Sequence, residues 1–158
     1  MRIKPDGCGE LMDCLKVGMK ESNKAVMKAF IGLLGLVAEA MGDPVKNYTK
    51  KCLVPCIQNN LSDKQTLVRA DVVACMNKWA EAIGADKVIN HLCASLSVDN
   101  PELRNEAFIW LQDKEKFIPE CEHAMMIKPL VSCLSDKKSS IRVSAEEMIV
   151  LVMKNTGF

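Results

Sequence analysis

Along most of the chain, apolar residues recur three and four positions apart, the period of one helix face. Four of these stripes are long. They are Val26, Phe30, Leu33, Val37 and Met41; Val68, Val72, Met76, Trp79 and Ile83; Leu103, Ala107, Trp110 and Leu111; and Ile141, Ala145, Met148, Ile149 and Val152. Each follows a shorter stripe: Leu11 and Leu15; Leu53 and Ile57; Ile89, Leu92 and Leu96; Ile127, Leu130 and Leu134. The pattern predicts helices in pairs, a first helix leading through a polar turn into a second. Gly42, Gly84 and Gly157 stand just past second helices, where a left-handed residue can close the last carbonyls. Pro44 and Pro119 fall between pairs, and Pro101 sits at a first helical position, where a missing N–H costs nothing. Gly32 and Gly35 interrupt the first long stripe at roughly 1 kcal/mol each relative to Ala, so close helix packing is their expected use.

The turns repeat. Leu61–Arg69, Leu96–Arg104 and Leu134–Arg142 align without gaps, each reading Leu-Ser, a polar turn, an aliphatic residue and Arg. A weaker copy runs from Met19 through Glu21, Asn23 and Val26 to Met27, without the final Arg. Spacings of this size suit a two-helix unit of the HEAT or armadillo kind. The expected architecture is all-α: an α-solenoid (α-α superhelix) of about four HEAT-type hairpins, near 7–42, 44–84, 86–114 and 121–157, in one domain spanning 1–158. Its ridge of turns is the default binding surface. Asp63 and Asp136 lie six residues before Arg69 and Arg142. Such Asp and Arg residues are expected to pair between adjacent repeats, and the Asp can also cap the helix.

Composition narrows the chemistry. With 21 basic and 20 acidic residues, no global field draws the chain to nucleic acid or an anionic membrane. Met1–Gly9 lacks the apolar core of a signal peptide, and the longest apolar run, Phe30–Ala38, is too short to span a bilayer. A soluble, cytosolic protein is expected, with Cys8, Cys14, Cys52, Cys56, Cys75, Cys93, Cys121 and Cys133 read as reduced core residues. Neither Cys52 with Cys56 nor Cys121 with His123 has partners at zinc-site spacing, so no metal is expected. His91 lacks an inferable nucleophile, and no phosphate loop or dinucleotide fingerprint occurs, so neither catalysis nor a cofactor is expected. Trp79 and Trp110 read as core, as do Met125, Met126 and Met148.

Pro55, Asp63, Val68 and Arg69 reproduce the spacing of a HEAT repeat, and the fourth unit keeps Asp136, Ile141 and Arg142, with Pro129 one place off register. Over nearly its whole length the chain resembles a TOG domain of the ch-TOG and mini spindles family of microtubule polymerases, and most closely the fourth such domain. The resemblance lies in Gly9–Leu11, Ser22–Lys24, Leu36–Gly42, Val68–Ala70, Asn77–Glu81, Asn100–Arg104, Trp110–Leu111, Leu130–Leu134 and Ile141–Arg142. It implies binding of αβ-tubulin or microtubules through the intra-repeat turns, with Lys20, Asn23, Lys24, Lys64, Asn100, Lys137 and Lys138 as contacts. It also implies a part in microtubule growth and spindle organisation, and a place in the cytoplasm on microtubules, the spindle, or the centrosome or spindle pole.

One departure stands out. TOG domains usually have about six repeats, and the first offers tubulin an apolar turn residue, often Trp, which this chain lacks. The chain is therefore expected to be N-terminally incomplete, with an uncapped first helix around Leu11–Met19, or else a weak tubulin binder. Two other readings stand beside the leading one: a structural scaffold that orients neighbouring domains, and an adaptor that holds a non-tubulin protein in its concave face.

Overall fold

A computed structural model describes residues 2, 4 and 6–157; Met1, Ile3, Pro5 and Phe158, which belong to the terminal stretches read above, lie outside the described residues. Among the described residues there are helices and turns and no strand. The α-helices are α1 (Gly9–Gly18), α2 (Lys24–Met41), α3 (Val54–Asn60), α4 (Thr66–Ile83), α5 (Ala85–Ser95), α6 (Pro101–Asp113), α7 (His123–Cys133) and α8 (Ser139–Thr156). They form four hairpins, as the HEAT pattern requires. The chain divides into two compact units, Met1–Ala85 and Asp86–Phe158, each holding two hairpins apart from the first residue of α5.

Local chemistry sets the helix ends. The Asn23 side chain accepts the Ala25 and Val26 N–H groups at the start of α2, and Asn100 accepts that of Leu103 at the start of α6. Gly42, Gly84 and Gly157 close α2, α4 and α8 with φ of 71°, 104° and 80°, angles that cost other residues strain. The first helix of the second hairpin is irregular. It opens as a 3-10 turn over Asp43–Tyr48, widens to a π turn over Thr49–Leu53, and only then becomes α3. Pro55 enters in the first turn of α3, where no N–H is needed.

In the first unit, Met12 and Leu15 of α1, Ile31 and Leu34 of α2, Ile57 of α3 and Val72, Met76 and Trp79 of α4 are buried. In the second, Ile89 and Leu92 of α5, Leu103, Phe108 and Leu111 of α6, Met126 and Leu130 of α7 and Ile141 and Met148 of α8 do the same. Each fully buried large aliphatic side chain is worth about 1.5–3 kcal/mol over an exposed one, so these stripes drive hairpin packing. Two predicted stripes are displaced by one residue. The buried apolar side chains of α2 are Met27, Ile31, Leu34, Val37, Ala38 and Met41, so the predicted Val37 and Met41 are core while Val26 and Leu33 are exposed. In α7 the buried set is Met126, Leu130 and Cys133, while Ile127 and Leu134 are exposed. Both helices are apolar nearly all round, so periodicity alone could not choose the face. For the same reason Met12 displaces Leu11 in α1, and Met125 is exposed instead of core.

The two glycines of α2 part company. A Cβ at Gly35 would lie 3.4 Å from the Cys75 Cα and 3.1 Å from the Lys78 Cδ, so Gly35 lets α4 seat closely. Gly32 has nothing within 4 Å of such an atom, which corrects the expectation that it serves packing. Trp79 and Trp110 are buried, and seven cysteines are buried with Cys14 exposed; all eight are free thiols. Burial pushes the Cys93 and Cys121 thiols up to about 12, which makes them poor nucleophiles.

Candidate protein-binding turns

The second and fourth turns are built alike. Asp63 accepts the Gln65 N–H at 2.9 Å, and Asp136 accepts the Lys138 N–H at 2.8 Å, folding each turn back on itself before the helix begins. The Arg six residues on then grips the turn's backbone. Arg69 Nη1 donates to the Asp63 carbonyl at 2.7 Å and to that of Lys64 at 3.3 Å; Arg142 Nη1 donates to the Asp136 carbonyl at 2.7 Å and to that of Lys137 at 3.1 Å. Arg69 and Arg142 thus each clasp their own turn. The carboxylates look the other way, toward the preceding repeat: Asp63 meets Lys24, and Asp136 meets Arg104. Arg104 occupies in the third repeat the place that Arg69 and Arg142 hold in theirs, so its part in the joint was readable from the alignment.

These joints place the titrations. Burial pushes the Asp63 carboxyl up, but the Lys24 ammonium, the Gln65 N–H and the Arg69 charge outweigh it and hold the group below its ordinary value. At Asp136, burial is likewise outweighed, here by the Lys138 N–H and Arg104. Each turn's acid is thus neutralised inward, and the next residue is a lysine pointing out.

The candidate contact residues separate into two groups. Lys20, Lys64 and Lys137 are exposed and have no side-chain partner among the described residues. The others carry structural duties as well. Asn23 and Asn100 are helix caps, Lys24 is held by Asp63, and Lys138 Nζ reaches Glu102 Oε1 at 3.1 Å. The third turn departs from the rest, with Val98 where the second and fourth carry Asp, and a fully exposed Asp99 where they carry Lys. Two apolar side chains at turn rims escaped the sequence reading, Val17 at 68% and Leu67 at 65% exposed. Leu67 stood beside the stripe residue Val68, which drew attention inward.

The fold matches known ones. The chain covers 61% of the chain of a solved structure concerned with TOG–tubulin binding specificity in microtubule dynamics and mitotic spindle formation, with a TM-score of 0.70 and 16% identity over 93% of its own length. It covers 33% of a second, concerned with tubulin recruitment and assembly by microtubule polymerases with TOG domain arrays, again at 0.70, with 14% identity over 94% of its length. In sequence it is 28% identical to Protein MOR1 of Oryza sativa subsp. japonica over 159 residues, and 27% identical to Protein mini spindles of Drosophila melanogaster over 164. The chain has the TOG fold and is a sequence relative of MOR1 and mini spindles. Each match takes in 99% of this chain but 8% of the relative, so the TOG-like chain corresponds to a small part of those proteins. No family model matches it. Among its described residues, no helix is long and apolar enough to cross a membrane, and no group of three or more His, Cys, Asp or Glu is placed to hold a metal ion.

Proposed function

We propose that the chain binds αβ-tubulin, free or in microtubules, through its intra-repeat turns, and that in the cell it helps regulate microtubule growth and spindle organisation. The observation that carries this reading is the repeated turn chemistry. Asp63 and Asp136 are neutralised by cations on their inner side, while Lys64 and Lys137 stand outward with their charge unspent, joined by Lys20 in the first turn. An acidic partner surface would gain encounter rate and register from cations placed in this way. Asn23, Lys24, Asn100 and Lys138 flank them and complete the contact set. The relatives support the assignment, since the matching folds come from TOG proteins studied for tubulin binding and recruitment. The task needs binding alone, with no catalytic step. Its location would be the microtubule cytoskeleton, including the spindle and its poles.

The finer assignment, to the fourth TOG domain of such arrays, rests on the spread of motif matches from Gly9–Leu11 to Ile141–Arg142. Separate alignment with each TOG segment of mini spindles tests it, and a better score for another segment would overturn it. A second function is favoured by the acidic third turn: a scaffold that orients neighbouring domains and touches tubulin weakly. Gel filtration of the chain with unpolymerised tubulin at low and moderate salt separates the two. Binding predicts co-migration that Lys64→Glu with Lys137→Glu and Lys138→Glu abolishes; a folded chain that never co-migrates would leave the scaffold.

A further inference from the structure

The second unit has a face that the turn chemistry does not use. Between α6 and α8 runs an open groove of about 150 Å³, lined in part by Gln112, Glu115, Glu147, Val150 and Lys154. Val143, Glu147 and Val150 follow one another at helical spacing on α8, and Ile109 lies one turn before Gln112 on α6. Ile109, Val143 and Val150 are each at least half exposed. Apolar side chains standing open beside a groove mark a surface that gains by being covered.

The carboxylates beside it outnumber the single lysine that lines it. Glu115, Glu146 and Glu147 are exposed, and none has an ion-pair partner among the described residues; Glu147 takes only a 3.5 Å contact from Gln112 Nε2. Lys154 is the one cation among the groove's lining residues. Asp113, by contrast, is already answered by Lys114 at 3.2 Å. Unanswered carboxylates flanking apolar anchors suit a ligand with the reverse arrangement.

We propose that this groove docks a basic amphipathic helix from a partner protein. Its apolar stripe would cover Ile109, Val143 and Val150, and its flanking lysines or arginines would meet Glu115, Glu146 and Glu147. The mode is that of a helix laid into an apolar groove, read at i, i+4 and i+7. It is separate from the turn lysines, whose charge calls for an acidic partner, and so does not depend on the tubulin reading.

The test is fluorescence anisotropy of a fluorescein-labelled fourteen-residue leucine–lysine amphipathic peptide titrated with the whole chain. Saturable binding is expected, weakened at least about tenfold by Glu146→Lys with Glu147→Lys and by moderate salt. Val150→Asp should weaken it comparably, because charge alone does not hold the helix. A control, Glu10→Lys with Glu21→Lys in the first unit, should leave affinity unchanged, and circular dichroism establishes that every variant is folded. Equal loss in the control, indifference to Val150→Asp, or no binding at about 100 micromolar would overturn the proposal. So would sedimentation showing that a second copy of the chain covers the groove.

Discussion

Two joints link successive hairpins inside the units, and they are built to different depths. In the first unit, Asp63, whose side chain is 9% exposed, meets the Lys24 ammonium, a point charge whose side chain stays 38% exposed. In the second, Asp136 is 2% exposed and meets the Arg104 guanidinium, itself 17% exposed, which also donates through Nε to the Leu96 carbonyl at 3.1 Å. The repeat supplies the same Asp to both. The residue arriving from the preceding helix decides whether the joint stays open to water on its cation side or becomes a desolvated network.

The sharpest way to break this contrast is to remove the two cations. Arg104→Leu strands a buried carboxylate and should cost about 3–5 kcal/mol in denaturant unfolding. Lys24→Leu should cost less, about 1 kcal/mol, since water reaches the Lys24 end of that pair and the Gln65 N–H still serves the carboxylate. Equal losses would show that depth is not what separates the joints.

A second pair of variants asks what holds the first joint if charge does little. Gly35→Val, pressed against the Cys75 backbone, should cost about 2 kcal/mol by prying α4 from α2. Gly32→Ala, in open space on the same helix, should gain up to about 1 kcal/mol. Thermal melts of the two variants read the sign directly.

The turns themselves should respond alike. Arg69→Ala and Arg142→Ala each remove a clasp on two carbonyls, and each should cost about 1–2 kcal/mol. A large inequality would show that the two turns are alike in geometry but not in energy.

Acid should reveal the joints gently. Both aspartyl groups are held below the ordinary carboxylate range in the folded chain, so their stabilisation is complete above the unfolded value and is lost as pH falls through the folded one. Stability should therefore decline as pH falls through and below the ordinary carboxylate range. In Arg104→Leu the Asp136 share of that decline should shrink or reverse, since protonation then relieves the stranded carboxylate, which unfolding curves at several pH values would show.

Much of this was legible in the sequence, for reasons that the residues make plain. Hairpins, glycine stops and the Pro101 start could be read because periodicity and backbone chemistry are local. The buried faces of α2 and α7 could not, since helices with apolar residues on every side leave the choice to tertiary packing, which put Met27 in place of Val26 and Met126 in place of Ile127. The Asp and Arg of the turns were recognisable as structural, and the alignment pointed to Arg104, but Lys24 as the partner of Asp63 was not readable, because the first turn has lost its Arg and the pairing depends on which way each side chain leaves its helix. The candidate contacts came from position in the turn. Position could not separate Lys20, Lys64 and Lys137 from Lys24 and Lys138, which have acids within reach only once the repeats stack.

Reversing Lys20, Lys64 and Lys137 together to Glu should shift stability by no more than about 0.5 kcal/mol, the smallest effect here, because these side chains support nothing. That makes them the cleanest probe of the central claim. The decisive measurement is the dissociation constant of fluorescent αβ-tubulin for the wild-type chain and this triple variant across a salt series. The account predicts salt-sensitive wild-type binding that the variant loses with its fold intact. An unchanged constant and salt dependence would contradict the turn lysines as the tubulin site.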